Sequence, residues 1–233
     1  DFLAQPNLKS ERQNAGNAEL VPPQSWEAEM EVGRTLGDAG KTRLRAYYYA
    51  VEDIVDIVPI GADGEGVGNL PRATRFGMES TSTIQFAPLG LPGARLDATL
   101  GFEIARVRDP LTGEMRPISG TQDRWAELDF RHDLPNSDFA WGATAGLNHN
   151  TAYYYLTEVN RENEGPWFAN VFVEHKDVFG LTVRAQVGNV LNGRHYYDRQ
   201  VYAGRRNATP LVFRQHNDQL IGPIFTFTIR GSF

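Results

Sequence analysis

Five histidines and no cysteine limit the metal and nucleophile chemistry available to this chain of 233 residues. The histidines are spread over separate segments, and no two have the i, i+4 spacing that brings two imidazoles to one metal ion on a helix. Without cysteine there is no thiolate nucleophile, disulfide or thiolate zinc site. Ser119, His132 and Asp133 are close in sequence but lack the G-x-S-x-G turn that presents a hydrolase serine. The residues therefore predict no catalytic site, no metal site and no cofactor.

A glycine-rich stretch, residues 61–68, is the nearest approach to a phosphate-binding loop. It lacks the lysine and the following helix of such loops, so its N–H groups gain no helix dipole. Neighbouring carboxylates, Glu52 with Asp53 and Glu162 with Glu164, fall at loops or strand ends, where solvated acids are more common than catalytic pairs. We interpret residues 61–68 as a solvated loop.

Composition excludes two broad classes of protein. The chain is 41% hydrophobic, with a net charge of −6 and a mean hydropathy of −0.43. It has no run of about 18 apolar residues, which a membrane-spanning helix requires. It also lacks the basic surface expected of a protein that binds nucleic acid. A transmembrane β-barrel remains compatible, because half of its strand residues face water.

Alternation of apolar and polar residues with period two predicts nine strands and no helix. It is most regular in residues 225–233, where phenylalanine and isoleucine share one face and threonine, arginine and serine share the other. It fails in residues 52–56, interpreted as membrane exit or a β-bulge, and in residues 167–178, where apolar residues fall on both faces. The predicted strands lie near residues 24–36, 41–59, 72–87, 94–108, 120–134, 139–155, 167–178, 181–202 and 211–233.

The connections between these strands alternate between short and long, as in outer-membrane barrels with short periplasmic turns and longer extracellular loops. If the last strand ends in the periplasm, the other connections can be assigned by walking back from Phe233. The periplasmic turns are then Asp177–Gly180, Pro135–Asp138, Pro88–Gly93 and Gly37–Gly40. The extracellular segments are residues 203–210, 156–166, 109–119, 60–71 and 1–23.

Aromatic residues gather near the predicted strand ends. Amphipathic rings favour the headgroup level of a membrane, although tyrosine also has a high intrinsic β-propensity. The clusters are Tyr47–Tyr49, Tyr153–Tyr155 and Tyr196–Tyr197, with tryptophan at positions 26, 125, 141 and 167.

Four stretches resemble the C-terminal part of the barrel of a TonB-dependent outer-membrane receptor. Residues 6–12, followed by residues 25–29, are similar to the family's "NPxLKPE … xxYExG" start of a barrel strand, with Ser10 in place of proline. Residues 68–79 resemble the "N-x-x-x-A-x-x-x-G-x-E" stretch, and residues 187–192 the "NLxD" motif, with Asn192 in place of aspartate. Residues 229–233 resemble the ending that the barrel-assembly machinery reads.

This resemblance covers residues from about 6 to 233 and implies a barrel of about 22 strands with an N-terminal plug domain and a TonB-contacting box. Nine strands in 233 residues correspond to roughly 570 residues for such a barrel, so about thirteen strands and the plug are missing. We therefore expect residues 24–233 to be the C-terminal barrel strands, residues 1–23 an extracellular loop segment, and the chain a fragment or truncated product. Alone it would have two unpaired edges, so we expect no transport by the isolated chain.

The resemblance also implies a location and partners. The chain is expected in the bacterial outer membrane with its C-terminus in the periplasm, in contact with lipid and lipopolysaccharide, and linked to the TonB complex through the missing N-terminal part. The implied ligand is a scarce nutrient such as a ferric siderophore. Inward arginine and tyrosine side chains at the extracellular strand ends suit anionic or catecholate ligands, or alternatively pair with loop acids and lipopolysaccharide phosphate. The candidate substrate-binding residues are Arg106, Arg108, Tyr153, Tyr155, Arg161, Tyr197, Arg199, Arg205 and Arg206.

Three other functions share parts of this pattern. A passive porin or a barrel-type outer-membrane enzyme would show the same strands, but no nucleophile or base can be named for an enzyme. A soluble β-sandwich binding module would also alternate, and it would bury the apolar face that Trp26, Met30, Phe76, Met78, Leu100, Phe102, Phe225 and Phe227 are expected to form.

Overall fold

The computed structural model describes residues 5–7, 12–15, 17–61, 64–165 and 167–231. Parts of two motifs, at residues 8–11 and 232–233, lie outside the described residues. The described chain is all-β, with two short 3-10 helices, Gly37–Ala39 and Ala87–Leu89, and no α-helix. Its strands are β1 (Gln5–Asn7), β2 (Arg12–Ala15), β3 (Gln24–Thr35), β4 (Gly40–Ile60), β5 (Gly64–Gln85), β6 (Ala94–Arg108), β7 (Met115–Pro117), β8 (Gln122–Asp133), β9 (Phe139–Asn150), β10 (Tyr153–Tyr154), β11 (Glu158–Gly165), β12 (Phe168–Val178), β13 (Leu181–Gly188), β14 (Arg194–Tyr202), β15 (Leu211–Leu220) and β16 (Ile224–Arg230).

Nine of these strands form one antiparallel meander in the order β3-β4-β5-β6-β8-β9-β12-β13-β16. The short strand β7 pairs with β6, and β2 pairs in parallel with the start of β5. We call the nine-strand meander, together with these short strands, the main sheet. Its end with residues 36–39, 86–93, 134–138 and 179–180 is the turn side, and the opposite end is the loop side.

A second sheet of four strands, in the order β10-β11-β14-β15, extends the loop side of the main sheet. Strand β11 leads into β12, β13 leads into β14, and β15 leads into β16. Asn189 holds two of these junctions together: it is buried, with φ 55°, and its amide donates to the carbonyl oxygens of Gly193 and Gly222 at 3.1 and 2.9 Å. The stretch that resembles the "NLxD" motif therefore contributes the residue that joins the two sheets at this point.

The structure confirms the all-β class, the antiparallel pairing and the position of each predicted turn. The nine predicted strands are all present when β10, β14 and β15 are counted as extensions of β9, β13 and β16. All the named outward residues from Trp26 to Phe227 lie on one face by register. The prediction succeeds here because period-two alternation survives wherever a strand has different surroundings on its two faces.

Two predicted loops are mostly strands instead, and the short strands β1, β2 and β7 lie within the predicted loop segments 1–23 and 109–119. Residues 64–71 belong to β5 and pair with β4 up to Ile60↔Gly64, and residues 158–165 form β11, which pairs with β14. Both segments lack clear alternation, and the first is rich in glycine, so propensity argued for a loop. Hairpin pairing with a long neighbouring strand satisfies their backbone groups and overrides that propensity.

The two irregular stretches now have explanations. In residues 52–56 the register is unshifted from Glu52↔Arg72 to Ile54↔Leu70, so the proposed β-bulge is wrong. Asp53 instead adopts a positive φ of 54° where it faces Pro71, which has no N–H to donate. In residues 167–178 the outward side chains are Val171 and Val173. Phe172 points inward, and the Arg184 guanidinium carbon lies 3.5 Å from the centroid of the Phe172 ring.

Strands β3 and β16 are the edges of the main sheet, and no closed barrel is found in the described part of the chain. Each has a partner on one side only, and β3 is exposed along its whole length. The expected pair of unpaired edges is therefore present.

A small apolar cluster lies at the loop side, built from Val51, Leu70, Ala73, Val107 and Ile118 together with Ala105. Among the described residues, no helix has the length and apolar character needed to cross a membrane.

Candidate functional site

The two faces of the main sheet have opposite character, and two adjacent cross-strand rows show it. One row runs over seven strands without a polar side chain, and the next runs over six strands with only polar ones. The apolar row is Ile84, Leu96, Phe130, Ala143, Val171, Val187 and Phe225. The polar row is Lys41, Thr83, Asp97, Asp129, Thr144 and Asn170. We call the first face outward and the second inward.

The outward face is exposed despite its apolar side chains. Trp26 is 81% exposed, Phe225 76% and Phe227 66%. Soluble monomers rarely expose contiguous apolar patches beyond a few hundred Å², and larger ones mark contact with membrane or protein. This face therefore requires an apolar environment that the chain itself does not supply.

The inward face carries ion pairs that cross from strand to strand. Arg75 on β5 forms a bidentate pair with Glu103 on β6, at 3.0 and 2.9 Å, and the Tyr47 hydroxyl donates to the same carboxylate at 2.7 Å. Near the turn side, Arg131 on β8 bonds at 2.6 Å to Glu174 on β12, and at 3.0 Å to Asp133 on its own strand. Oppositely charged neighbours on the same face stabilise the sheet and suit a face turned to water.

Aromatic rings cover three inward glycines, on β5, β6 and β9 of the main sheet. A Cβ atom at any of these glycines would come within 2.2–2.5 Å of a ring atom, closer than real Cβ contacts allow. The glycines are therefore required by the close approach of a ring, as in curved sheets where an aromatic side chain covers a glycine. The three pairs are Tyr47 over Gly77, Trp125 over Gly101 and Phe172 over Gly142.

A buried ion cluster closes the loop side. Arg116 on β7 bonds to Asp56 at 3.0 Å and to Asp109 at 2.8 Å, and Arg206 bonds to the same Asp109 oxygen at 2.8 Å. The Tyr154 ring lies 4.6 Å from the Arg116 guanidinium and 5.7 Å from that of Arg206. We call these five residues the loop-side ion cluster.

The connection at residues 203–210 links this cluster to three other segments. Arg205 donates to the carbonyl oxygen of Gly61 at the β4–β5 tip, at 2.6 Å, and Asn207 donates to that of Leu111 at 3.1 Å. The Arg206 backbone N–H donates to the Leu156 carbonyl oxygen at 2.8 Å. Contacts of residues 203–210 thus join the last hairpin to segments from the first half of the sheet.

Asp109 is the electrostatic centre of the cluster. Burial alone would raise its pKa, but the hydrogen bond from Arg206 and those from the backbone N–H groups of Thr112 and Leu111 outweigh burial and lower its pKa from 3.8 to about 2. The carboxylate therefore stays ionised at any physiological pH and holds both guanidinium groups.

The nine predicted substrate-binding residues are not brought into one site. Arg206 is in the loop-side ion cluster, the Tyr155 carbonyl accepts from its Nε atom, and Arg205 is bonded to Gly61. On the second sheet, Arg199 pairs with Glu158 at 2.7 Å and Arg161 with Asp198 at 3.4 Å. Their contact with a substrate stays a prediction. Tyr153 stacks on Tyr155, with ring centroids 6.3 Å apart, and Tyr197 lies opposite Asn217 on β15.

The expected inward orientation is wrong for Arg106 and Arg108. Both are exposed and share the outward face with Phe102 and Ile104, whereas the odd-numbered Val107 is buried on the inward face. The prediction assigned both arginines to the site because they lie near the extracellular end of the strand. It did not follow the apolar–polar alternation as far as that end.

The residues that form the loop-side ion cluster were mostly missed by sequence reasoning. Asp56, Tyr154 and the pair Asp109 and Arg116 come from three separate segments, and folding brings them together. One local signal was available: Asp109-Pro110-Leu111-Thr112-Gly113 is a turn sequence whose aspartate accepts from the two N–H groups that follow Pro110. That signal predicts the turn but not the two arginines.

Histidines in the described chain each pair with one carboxylate at most. His195 bonds to Glu162 at 2.7 Å and His216 to Asp198 at 2.6 Å. Across the ranges that the structure describes, no group of three or more histidine, aspartate or glutamate side chains could hold a metal ion.

Comparisons of the chain with protein-family models, with curated proteins and with solved structures found no significant match.

Proposed function

We propose that this chain is a wall segment of a transmembrane β-barrel in a bacterial outer membrane, belonging to an energy-coupled receptor of the TonB-dependent type that imports a scarce solute. The observation that carries the membrane part of the proposal is the pair of adjacent rows, one wholly apolar across seven strands and one wholly polar. Strands that alternate in this way are the only sheet solution for crossing hydrocarbon, provided that the sheet closes.

The rest of the geometry supports a lumen on the inward side. Cross-strand ion pairs such as Arg75 with Glu103 need water or protein around them and would be costly against lipid. The aromatic rings over inward glycines let the wall curve toward that side. In this arrangement the turn side is periplasmic, the loop side is extracellular, and lipid contacts the outward face.

The free edges of β3 and β16 support a larger barrel. Strands one and nine of a meander run in the same direction, so pairing β16 with β3 would give a parallel contact instead of the antiparallel contact of a barrel. Closure needs an odd number of further strands, and about thirteen would complete a barrel of 22. The chain alone is therefore proposed not to transport.

The substrate and the energy coupling rest on the resemblance of the sequence. It suggests a ferric siderophore or another large, scarce nutrient, and contact with the TonB complex through a part of the receptor other than these strands. Arg199 and Tyr197, which share one face of the second sheet beyond the loop side, are the proposed ligand contacts, whereas Arg161 lies on the opposite face of that sheet.

The test is uptake of a radiolabelled ferric siderophore by cells in which the coding region for residues 24–230 is deleted in frame. We expect uptake that depends on the proton-motive force to be lost and to return with the intact gene. Uptake that persists at the same rate in the deletion strain would contradict the receptor assignment.

Two alternatives give different results. A passive porin would keep its uptake when the proton-motive force is removed by an uncoupler. A soluble β-sandwich module would keep its folded far-UV spectrum in buffer without detergent, and it would leave the outward side chains inaccessible to lipid-soluble quenchers.

A further inference from the structure

An arginine patch lies where the outward face ends on the loop side. Arg72 on β5 and Arg106 and Arg108 on β6 are all exposed and outward, since they alternate with the buried inward residues Ala73 and Val107. Arg124 on β8 is on the same face further down, opposite Phe102. We call Arg72, Arg106 and Arg108, flanked by Arg124, the arginine patch.

The patch borders directly on the exposed apolar surface. Arg106 lies one outward position beyond Ile104, which pairs with Phe76, and Phe102 lies one position below Ile104. A molecule bound here would therefore meet guanidinium groups at one end and aromatic and aliphatic side chains at the other.

Like charges lie at the loop-side end of the β5–β6 ladder. The ladder ends at Ala73↔Val107, and continuing its register by one residue would set Arg108 opposite Arg72. Directly opposed like charges destabilise strand pairing. Arg106 has no ion pair in the described chain, and Arg108 makes one hydrogen bond, to the Gly113 carbonyl oxygen at 2.6 Å.

Nearby carboxylates do not neutralise the patch. Glu52 faces Arg72 from β4 but forms no ion pair with it among the described residues, and Asp123 is bonded to His149 while lying 3.9 Å from Arg124. Four arginines against these two carboxylates leave an excess of two positive charges. Such an excess at the border of an apolar face suits an anion that carries its own apolar part.

The turn-side border of the same face is built differently. It carries a chain of rings, in which Phe130 lies 5.2 Å from Trp141, and Phe139 lies 4.6 Å from His175 between centroids. Arg34 on β3 is an exposed cation at this border. The two borders thus differ in chemistry, which indicates that they meet different headgroup layers.

We propose that the arginine patch binds the phosphate groups of an anionic membrane lipid whose acyl chains lie against Phe76, Phe102 and Ile104. The inference rests on the proposed membrane function. Guanidinium groups make bidentate hydrogen bonds to phosphate, and a phosphate between Arg72 and Arg108 would relieve their mutual repulsion. Attachment to acyl chains distinguishes this ligand from free phosphate, because the apolar face then contributes to binding.

The experiment uses the full chain in zwitterionic detergent micelles, titrated with bis-phosphorylated lipid A, with bound lipid counted by native mass spectrometry. The test variant is Arg72→Ala/Arg106→Ala/Arg108→Ala, and the matched control is Arg34→Ala at the opposite border. Removing a near-surface arginine weakens binding to anionic lipid about fivefold, so the triple variant should bind on the order of a hundredfold more weakly. The control should change by less than about twofold.

Three further measurements separate the contributions of the lipid phosphate, the acyl chains and the arginine charge. Dephosphorylated lipid A should bind the native chain as weakly as the triple variant binds the phosphorylated lipid, and millimolar inorganic phosphate should not displace the lipid. The charge-preserving variant Arg72→Lys/Arg106→Lys/Arg108→Lys should retain most of the affinity, which separates charge from misfolding. Equal binding by native and triple-variant chains, an equal loss in Arg34→Ala, or displacement by inorganic phosphate would overturn the proposal.

Failure of this inference is distinguishable from failure of the membrane function. A chain that associates with zwitterionic vesicles but shows no preference for phosphorylated lipid contradicts only the arginine patch proposal. A complete receptor containing these strands that associates with no vesicle contradicts the membrane function as well.

Discussion

The two faces of the main sheet share one backbone ladder but are stabilised by opposite means. On the outward face, the apolar side chains of Leu100 and Phe227 are 47% and 66% exposed. On the inward face, Tyr47, Arg75 and Glu103 satisfy one another through three hydrogen bonds. The polar groups of the inward face therefore find partners within this chain, whereas the apolar side chains of the outward face need an apolar medium around them.

The loop side extends the same contrast. There the inward side chains are no longer solvated but buried, with Arg116 6% and Asp109 2% exposed, and their charges are matched within the loop-side ion cluster. Charge is tolerated on this side of the sheet because each group has a partner.

Removing one partner of the buried cluster should have the largest effect. In Asp109→Ala, Arg206 loses its carboxylate and Arg116 loses one of two, so the free energy of unfolding should fall by about 3–5 kcal/mol. The measurement is urea unfolding of the detergent-folded chain, with Asp38→Ala in the exposed turn as the control. Equal stability of Asp109→Ala and Asp38→Ala would show that the cluster is not holding the loops.

Placing charge on neighbouring residues of one strand separates the two faces. Leu100→Arg puts a guanidinium on the outward face and should cost roughly 2–4 kcal/mol in a bilayer. Thr99→Arg puts the same group on the inward face opposite Glu127, and should cost less than about 1 kcal/mol. The measurement is equilibrium folding into lipid vesicles of the complete barrel that contains these strands, because open sheet edges are not tolerated in hydrocarbon. A neutral effect at Leu100, or the same loss at both positions, would contradict a lipid-facing assignment.

The ring over Gly77 provides a steric test of the inward face. In Gly77→Ala the added Cβ would lie 2.3 Å from the Tyr47 ring and 2.8 Å from the Phe102 carbonyl oxygen, so overpacking should cost about 1–3 kcal/mol. Gly33→Ala is the matched control, because its nearest atom, the Thr42 carbonyl oxygen, is 3.9 Å away. Thermal unfolding of both variants measures the difference, and equal melting temperatures would mean that the close ring contact is absent.

The pH dependence of the loop side should be the smallest of these effects. Asp109 has a pKa lowered from 3.8 to about 2, so its contribution to stability is present above 3.8 and is lost as the pH falls through the folded value. As the pH falls between these two values, the protection of residues 203–210 from hydrogen exchange, relative to the intrinsic exchange rate at the same pH, should decrease in the native chain. Asp109→Asn should show no such change, and the same decrease in that variant would assign the effect to another group.

Much of the fold was predictable because the alternation of apolar and polar residues in each strand reflects the different surroundings of its two faces. Residues 225–230 alternate so regularly that both the strand and its outward side chains follow from the sequence alone. Residues 158–165 do not alternate, and their strand depends on pairing with β14, which no local pattern reveals. Arg116 and Asp56 are sixty positions apart, and only folding shows that they form an ion pair. The candidate site was therefore less predictable than the strands, since loops assemble it from distant segments.

The most direct test of the central claim is an accessibility scan along β6. The chain has no cysteine, so single cysteines at positions 96–104 can each be the one spin-labelled site within these strands, in the complete, closed barrel reconstituted in lipid vesicles. The account predicts period-two behaviour: labels at even positions such as 100 and 102 relax with oxygen dissolved in lipid, and labels at odd positions such as 99 and 103 relax with a water-soluble nickel chelate. Water access at both parities, or no alternation along the strand, would contradict the assignment of one face to lipid and the other to water.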